Sequence, residues 1–179
     1  MRLTERATVP STRLFSESVM SIVIETFRPE HAPRFRDLNR EWLEAYDLME
    51  PSNDEQLADP QAYFIDRGGR IFVALHDGDV VGTAAMIPHG VGEFELAKVT
   101  VSSTFRGQGI ARRLVEHCIA YAREQNARRV SLVSNSRLQP ALRLYESMGF
   151  EHRALATDKE YEHQDVSMVL DLGASNESG

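Results

Sequence analysis

The sequence predicts an α+β domain: a mixed, mostly antiparallel central sheet of about seven strands flanked by about four helices. Three observations carry that expectation. The segments follow the order β-α-α-β-β-β-α-β-α-β-β, with hairpin-type connections first and a β-α-β-α unit after them. An Asp77-Gly78 dipeptide joins two apolar runs, IFVAL and VVGTAAMI, and Asp-Gly tolerates the positive φ angles of a two-residue hairpin turn. A β-rich run ending at Val101 passes through a glycine turn into an amphipathic helix. Antiparallel strands ahead of a β-α-β unit speak against a doubly wound sheet.

Residues 1–19 show no sustained periodicity and read as an extension, with Met20 standing just before the first strand, SIVIETF. Residues 20–172 are expected to form one domain, and 173–179 a frayed tail. Pro29-Glu30 opens a helix, along which Phe35, Leu38, Trp42, Leu43 and Tyr46 make an apolar stripe. Ser52 with Glu55 three residues later predicts a capping box at the next helix. After the Asp-Gly hairpin, a turn at His89 to Gly92 leads into the strand FELAKVTV. Arg129 to Val133 reads as a short buried strand, and Asn135 or Ser136 as the cap of the helix LQPALRLYESM. Gly149 closes that helix and Phe150 begins the following strand. Tyr161 to Leu172 reads as the last strand, with Val166, Met168 and Leu170 on one face.

The chain has 179 residues, 42% of them hydrophobic, which suits one domain with a sizeable core. A net charge of −7 argues against nucleic acid as a general partner. The single cysteine excludes an internal disulfide and suits a reducing compartment. Cys118, on the apolar helix face, reads as a small buried hydrophobe. Arg2, Glu5, Arg6 and Arg13 interrupt the N-terminus before any apolar run, so no signal peptide is read there. No apolar run approaches the ~20 residues of a membrane helix. The expectation is a cytoplasmic protein with no membrane partner.

The stretch from Val99 to Ala122 carries most of the chemistry. Ile110, Leu114, Cys118 and Ala122 recur every four residues, so one helix face is apolar. Gly107 and Gly109 precede that helix, where backbone free of Cβ atoms can approach a ligand closely. The first helical N–H groups lack intrahelical partners and carry the positive end of the dipole, which makes an anion cradle. A dinucleotide fingerprint would place a third glycine or an alanine where Arg112 stands, and a P-loop would require Gly-Lys-Ser/Thr; neither is present.

Arg106-x-x-Gly109-x-Ala111 resembles instead the pyrophosphate-holding pattern of the GNAT superfamily of acyl-CoA N-acyltransferases. A second landmark, Ala141-x-x-Leu144-Tyr145-x-x-x-Gly149-Phe150, stands at the family's spacing from it. The resemblance implies a GNAT-like fold and acetyl-CoA as co-substrate. It places Arg106, Gly107, Gln108, Gly109, Ile110, Ala111 and Arg112 on the cofactor phosphates. It also implies that Val99, Thr100 and Val101 contact pantetheine where their strand splays from its neighbour, and that Tyr145 is the general acid. Asparagine is common at the position of Leu138 in the family, so Asn135 is assigned that cofactor contact. Ser103 replaces a proline common before the cradle.

A phenol near pKa ~10 is protonated at neutral pH and can give its proton to a departing thiolate near ~8.5. Read alone, Tyr145 also fits a core position, since Leu138, Leu142, Tyr145 and Met148 share a helix face. Glu95 is the candidate base for the acceptor amine, with solvated strand-end charge as the plainer reading. His76 and His89 are expected exposed in turns. Arg106 to Arg129 holds six arginines and two glutamates, and Arg106, Arg112 and Arg113 are expected near the phosphates. Glu41 to Pro60 holds seven acids and no lysine or arginine. That stretch is either a solvated helix face or an attractor for a cationic acceptor.

These readings converge on transfer of the acetyl group of acetyl-CoA to a primary amine by direct attack, with no covalent enzyme intermediate. No paired histidines or cysteines occur at metal-ligand spacing. A non-catalytic acyl-CoA-binding regulator and a nicotinamide oxidoreductase are the alternatives. The acceptor is an unidentified small amine; amino acids, polyamines, aminoglycosides, peptide N-termini and protein lysines all stay open. The resemblance also implies a homodimer, since dimers are frequent in the family.

Overall fold

The computed structural model describes residues 21–155 and 162–173. The expected extension at 1–19 and all of the expected tail but Gly173 lie outside them, as does Tyr161. The strands are β1 (Ile22–Thr26), β2 (Arg70–His76), β3 (Asp79–Pro88), β4 (Glu93–Val101), β5 (Arg129–Ser134), β6 (Glu151–Arg153) and β7 (Val166–Asp171). The helices are α1 (Ala32–Ala45), α2 (Pro51–Ala58), α3 (Ile110–Glu124) and α4 (Gln139–Ser147). A 3-10 turn, Pro29–His31, leads into α1, and a π-helical turn, Gln61–Ile65, follows α2. The seven strands form one sheet in the order β1-β2-β3-β4-β5-β7-β6. Among the described residues only β4 and β5 pair in parallel. This is the α+β arrangement the sequence predicts.

The β2–β3 hairpin closes as read. Asp77 and Gly78 take φ of 48° and 86°, the two positive angles of a type I′ turn, and His76 pairs with Asp79 across it. At the end of α4, Gly149 has φ 95°. Its N–H donates to the Glu146 carbonyl at 3.1 Å, and the Phe150 N–H donates to the Tyr145 carbonyl at 3.1 Å. That is a Schellman closure, and it fixes the backbone of Tyr145.

Two predicted caps do not form. Pro51 sits at the first position of α2 with Glu50 before it, and no side chain caps the helix. Proline presets φ for that position, which draws Ser52 into the first turn, where its hydroxyl is buried without a partner. Neither Asn135 nor Ser136 caps α4, which starts after Leu138. Asn135 turns its Oδ1 instead to the Arg137 N–H at 2.9 Å. The last strand begins at Val166, five residues later than read.

Each sheet face has its own core. Ile110, Leu114, Cys118 and Ala122 of α3 pack on Ala74, Val81, Ala84 and Met86. On the other face, Phe35 and Leu43 of α1 and Leu57 of α2 pack on Ile71, Val73, Leu75, Val80 and Ala85. The residues of β2 divide by parity, as a pleated sheet covered on both faces requires, and those of β3 do so beyond the register shift at Val81.

Strand β4 breaks that parity. Thr83 pairs with Thr100 and Ala85 with Ala97, so Lys98 and Val99 together oppose Ala84. Lys98 takes φ 53° in this bulge. Phe94 and Leu96 face the α3 core from even positions, and Val101 faces it from an odd one. The extra residue therefore switches which side chains the end of β4 presents.

Candidate active site

Pairing between β4 and β5 is confined to Glu93–Arg129, Phe94–Val130 and Glu95–Ser131. Beyond Glu95 the strands part. One cleft opens on the far side of that fork, lined by Val99, Thr100, Val101, Phe105, Arg106, Gly107 and residues 109–112. Pro140, Ala141, Leu144 and Tyr145 of α4 form its opposite wall, and Trp42 and Tyr46 of α1 its rim. A second cavity lies against it, lined by Asn39, Glu50, Asn53, Glu95, Lys98 and Asn135 and by the apolar Leu43, Leu48 and Leu132. Trp42, Val99, Leu138, Ala141 and Tyr145 line both.

The floor of the first cleft is main chain. Gly109 occupies the N-cap of α3 in the left-handed conformation (φ 77°, ψ 12°), and Gly107 has φ 76°. No side chain caps α3, so its leading N–H groups face the cleft mouth as an anion site. Arg106 folds back onto the strand, its Nε donating to the Val101 carbonyl at 3.2 Å. Arg112 spans the cleft, its Nη2 donating to Ser147 Oγ of α4 at 2.6 Å. Thr100 Oγ1 is buried without a partner on the cleft wall. Unpaired N–H groups, an orphan hydroxyl and two arginines fit a phosphorylated, amide-bearing ligand such as coenzyme A.

Three expected positions lie outside the cleft. Gln108 is exposed on the loop and does not line the cleft. Arg113 donates to the Ile22 carbonyl of β1 at 2.9 Å, away from the cradle. Asn135 lines the second cavity and not the cofactor-type cleft, and its amide donates to the His163 carbonyl. All the other residues read as cofactor contacts line the cleft.

Tyr145 is 7% exposed and stacks obliquely on Phe150 at 5.7 Å between ring centroids. Burial, with a lesser contribution from Cys118, pushes its phenol well above the ordinary value, so the proton stays on oxygen. Core and site are thus the same place for this residue. Burial likewise pushes the Cys118 thiol up, which suits a packing role. The Glu95 side chain is 12% exposed in the second cavity, with Oε2 3.7 Å from Nδ1 of His89, itself 60% exposed. His76 is not a free turn residue: its ring lies half-buried against Phe105 at 5.0 Å, with Nδ1 buried and unpartnered.

The sequence gives no signal for Lys98 or for what supports it. Asn39 Nδ2 donates to Thr83 Oγ1 at 3.1 Å, and that hydroxyl donates to the Lys98 carbonyl at 2.7 Å, locking the bulge. Lys98 Nζ then reaches Asn53 Oδ1 at 2.8 Å and ties β4 to α2.

Among the described residues no helix is long and apolar enough to cross a membrane. The chain is 40% identical over 96 residues to N-acetyltransferase 8 of Rattus norvegicus, an alignment covering 51% of this chain and 43% of that protein. It is 35% identical over 116 residues to human N-acetylaspartate synthetase, covering 64% of this chain and 38% of that one. The chain thus spans about half or less of the curated relatives it matches. Among solved structures, a GNAT-family acetyltransferase from Staphylococcus aureus Mu50 superposes with a TM-score of 0.77 at 17% identity, covering 85% of this chain and 99% of that one. A PaiA N-acetyltransferase from Thermoplasma acidophilum in complex with coenzyme A superposes at 0.70 and 15% identity, with coverage of 85% and 99%. Those likenesses establish the fold. The acetyltransferase (GNAT) family profile matches residues 26–150, the span that holds the bulged β4, the glycine cradle and Tyr145: the chain belongs to the GNAT acetyltransferase family.

Proposed function

We propose that this chain is an acetyl-CoA-dependent N-acetyltransferase acting on a small primary amine, with residues 20–172 as its single catalytic domain. The observation that carries the reading is that Tyr145 lines two cavities at once, at the fork where β4 leaves β5. One cavity has the material for a coenzyme and the other for an acceptor. The CoA complex of the Thermoplasma neighbour and the names of the curated relatives support the same assignment.

In this reading the N–H groups at Gly109 to Arg112 hold the diphosphate, and Arg112 leaves Ser147 to join them. Pantetheine lies along Val99 to Val101 in the opened fork. Main-chain N–H of that strand receives the acetyl oxygen as negative charge develops on it. The amine must first lose a proton, since at pH 7 only about one part in a thousand of a pKa ~10 amine is neutral. Glu95 accepts that proton, directly or through water. Amine nitrogen attacks the thioester carbon, the C–S bond breaks, the departing sulfur takes the proton of the Tyr145 hydroxyl, and the second proton lost by nitrogen returns that hydroxyl to its neutral form. The products are an amide and free coenzyme A.

Thiol release from acetyl-CoA over a panel of amines tests the activity. Tyr145→Phe keeps the ring and its packing while removing the proton. Its expected result is kcat lower by ~10²–10⁴, with the Kd for coenzyme A within about twofold. Binding of acetyl-CoA with no amine-dependent thiol release would instead favour an acyl-CoA-binding regulator.

A further inference from the structure

We propose that Glu50, Asn135 and Ser136 are positioning residues for the acceptor: they grip residues 163–165 and so hold a polar wall that confines the acceptor site to short amines. The inference rests on the acetyl-transfer reading above and adds to it what limits the length of the acceptor.

Two side chains hold the main chain of His163. Its N–H donates to Glu50 Oε1 at 2.9 Å, and its carbonyl accepts from Asn135 Nδ2. These partners stand 113 and 28 residues from His163 in the chain, one just before α2 and the other just after β5. Glu50, Asn135, His163 and the next residue, Gln164, all line the second cavity, so the bonds join them into one strip of its wall. Asn135 is buried, and its Oδ1 takes the Arg137 N–H at 2.9 Å and Arg137 Nε at 3.2 Å. That fixes which end of the amide meets His163.

Ser136 holds the far end of the strip. Its N–H and Oγ–H donate to the two oxygens of the Asp165 carboxylate at 2.7 and 2.6 Å, and the Asp165 N–H donates to the Ser134 carbonyl at 3.1 Å. The hydroxyl and then the N–H of Ser136 keep the Asp165 carboxyl below the usual range, so it accepts as an anion at neutral pH. Asn135 and Ser136 do not cap α4; both are turned to this segment instead.

Residues 162–165 read Glu-His-Gln-Asp, and none of them is buried. Hydrogen bonds and not apolar packing therefore keep the strip in place, and removing one shifts the wall without emptying a core. The cavity behind it has a volume of about 120 Å³. A short amine fits that space with its nitrogen toward Tyr145, and a longer one meets the strip.

The test measures thiol release by the full chain with ethylamine, butylamine and hexylamine, amines of like basicity, and with an N-terminally blocked tetrapeptide containing lysine. An open apolar groove would favour the longest alkylamine. With the wall in place, wild-type kcat/KM is expected to fall about tenfold or more from ethylamine to hexylamine, with the peptide lower still. Glu50→Ala removes one grip and is expected to reduce that length penalty about two- to twelvefold, through KM, with coenzyme A Kd within about twofold. Glu50→Gln keeps an oxygen that accepts the His163 N–H and should keep most of the penalty. Ser136→Ala should act in the direction of Glu50→Ala. Hydrogen exchange at the His163 amide should quicken in Glu50→Ala and much less in Glu50→Gln. Wild type that turns over hexylamine as well as ethylamine overturns the proposal, whether or not the variants fold. So does a Glu50→Gln enzyme altered as much as Glu50→Ala, because Glu50 would then act through its charge. Failure of every amine to release thiol, with acetyl-CoA still bound, overturns the acetyl-transfer reading and this inference with it. Turnover indifferent to acceptor length overturns the inference alone.

Discussion

The cleft proposed for the coenzyme and the cavity proposed for the acceptor share Tyr145 but are made of different material. The cleft is framed by main chain: a left-handed glycine, the open end of α3 and the unpaired stretch of β4. The cavity is framed by residues that arrive from α1, α2, β4, β5, α4 and the segment before β7. A ligand held by backbone dictates few residue types, but dictates them at fixed spacing. A ligand held by side chains from six segments dictates none that a linear pattern can reveal. The first kind of site can serve a coenzyme common to a whole family, while the second is free to vary with the acceptor.

Gly109→Val is the strongest way to break the coenzyme side alone. A Cβ at that position meets nothing within 4 Å, so the cost comes from backbone conformation and not from a clash. A β-branched residue at φ 77° is strained by ~1–2 kcal/mol. It either keeps that strain or moves the leading N–H groups of α3 out of line. The expected outcome is a coenzyme A Kd raised about tenfold or more, with a melting temperature lower by a few degrees. Titration calorimetry and a thermal melt measure the two together. A variant that bound coenzyme A as tightly as wild type would remove the cradle from the account.

The same contrast explains what could be read from the chain. Arg106, Gly107, Gly109 and Ala111 stand within six residues, and Tyr145 follows at a spacing the fold requires. The β2–β3 hairpin was equally plain, because Asp77-Gly78 supplies the two positive φ angles locally. Lys98 also has a positive φ, yet lysine carries no mark of it; the bulge is imposed from Thr83 and Asn39, 15 and 59 residues away in the chain. Arg113 was misplaced for a geometric reason. Successive helical residues are rotated by about 100°, so Arg112 faces α4 while Arg113 faces β1. Asn135 reads as a helix cap or a cofactor contact, and nothing local in the sequence says that its amide bonds His163 and Arg137 instead.

Thr83→Val sharpens the comparison from the acceptor side. Valine keeps the shape but deletes the hydroxyl that accepts from Asn39 and donates to Lys98. Each of the two lost hydrogen bonds is worth ~0.5–1.5 kcal/mol, about two- to twelvefold. That loss should loosen the bulge and raise acceptor KM by a similar factor, with coenzyme A affinity little changed. Steady-state kinetics with each substrate varied in turn separates the effects. A Thr83→Val enzyme impaired equally for both substrates would mean that the two sites are not independently built.

The smallest expected effect lies remote from both sites and marks where neither contributes. His31 is buried at the entry to α1, and its Nδ1 accepts the Arg28 N–H at 3.0 Å. Burial, and then the positive charge of Arg28, hold its pKa below the ordinary 6.5, while Glu30 and Glu25 oppose them more weakly. The folded protein therefore resists a proton that the unfolded chain accepts near pH 6.5. The stability this confers is present above pH 6.5, falls as pH drops through 6.5, and levels off below the folded-state value. In His31→Asn the amide oxygen can accept the same N–H without titrating. Thermal melts between pH 7.5 and 5 should show wild type losing stability relative to the variant in that window, while kcat and coenzyme A affinity at pH 7.5 stay equal. Parallel stability curves would mean that His31 is protonated as readily in the folded protein as in the unfolded one, and that its burial imposes no cost on the charge.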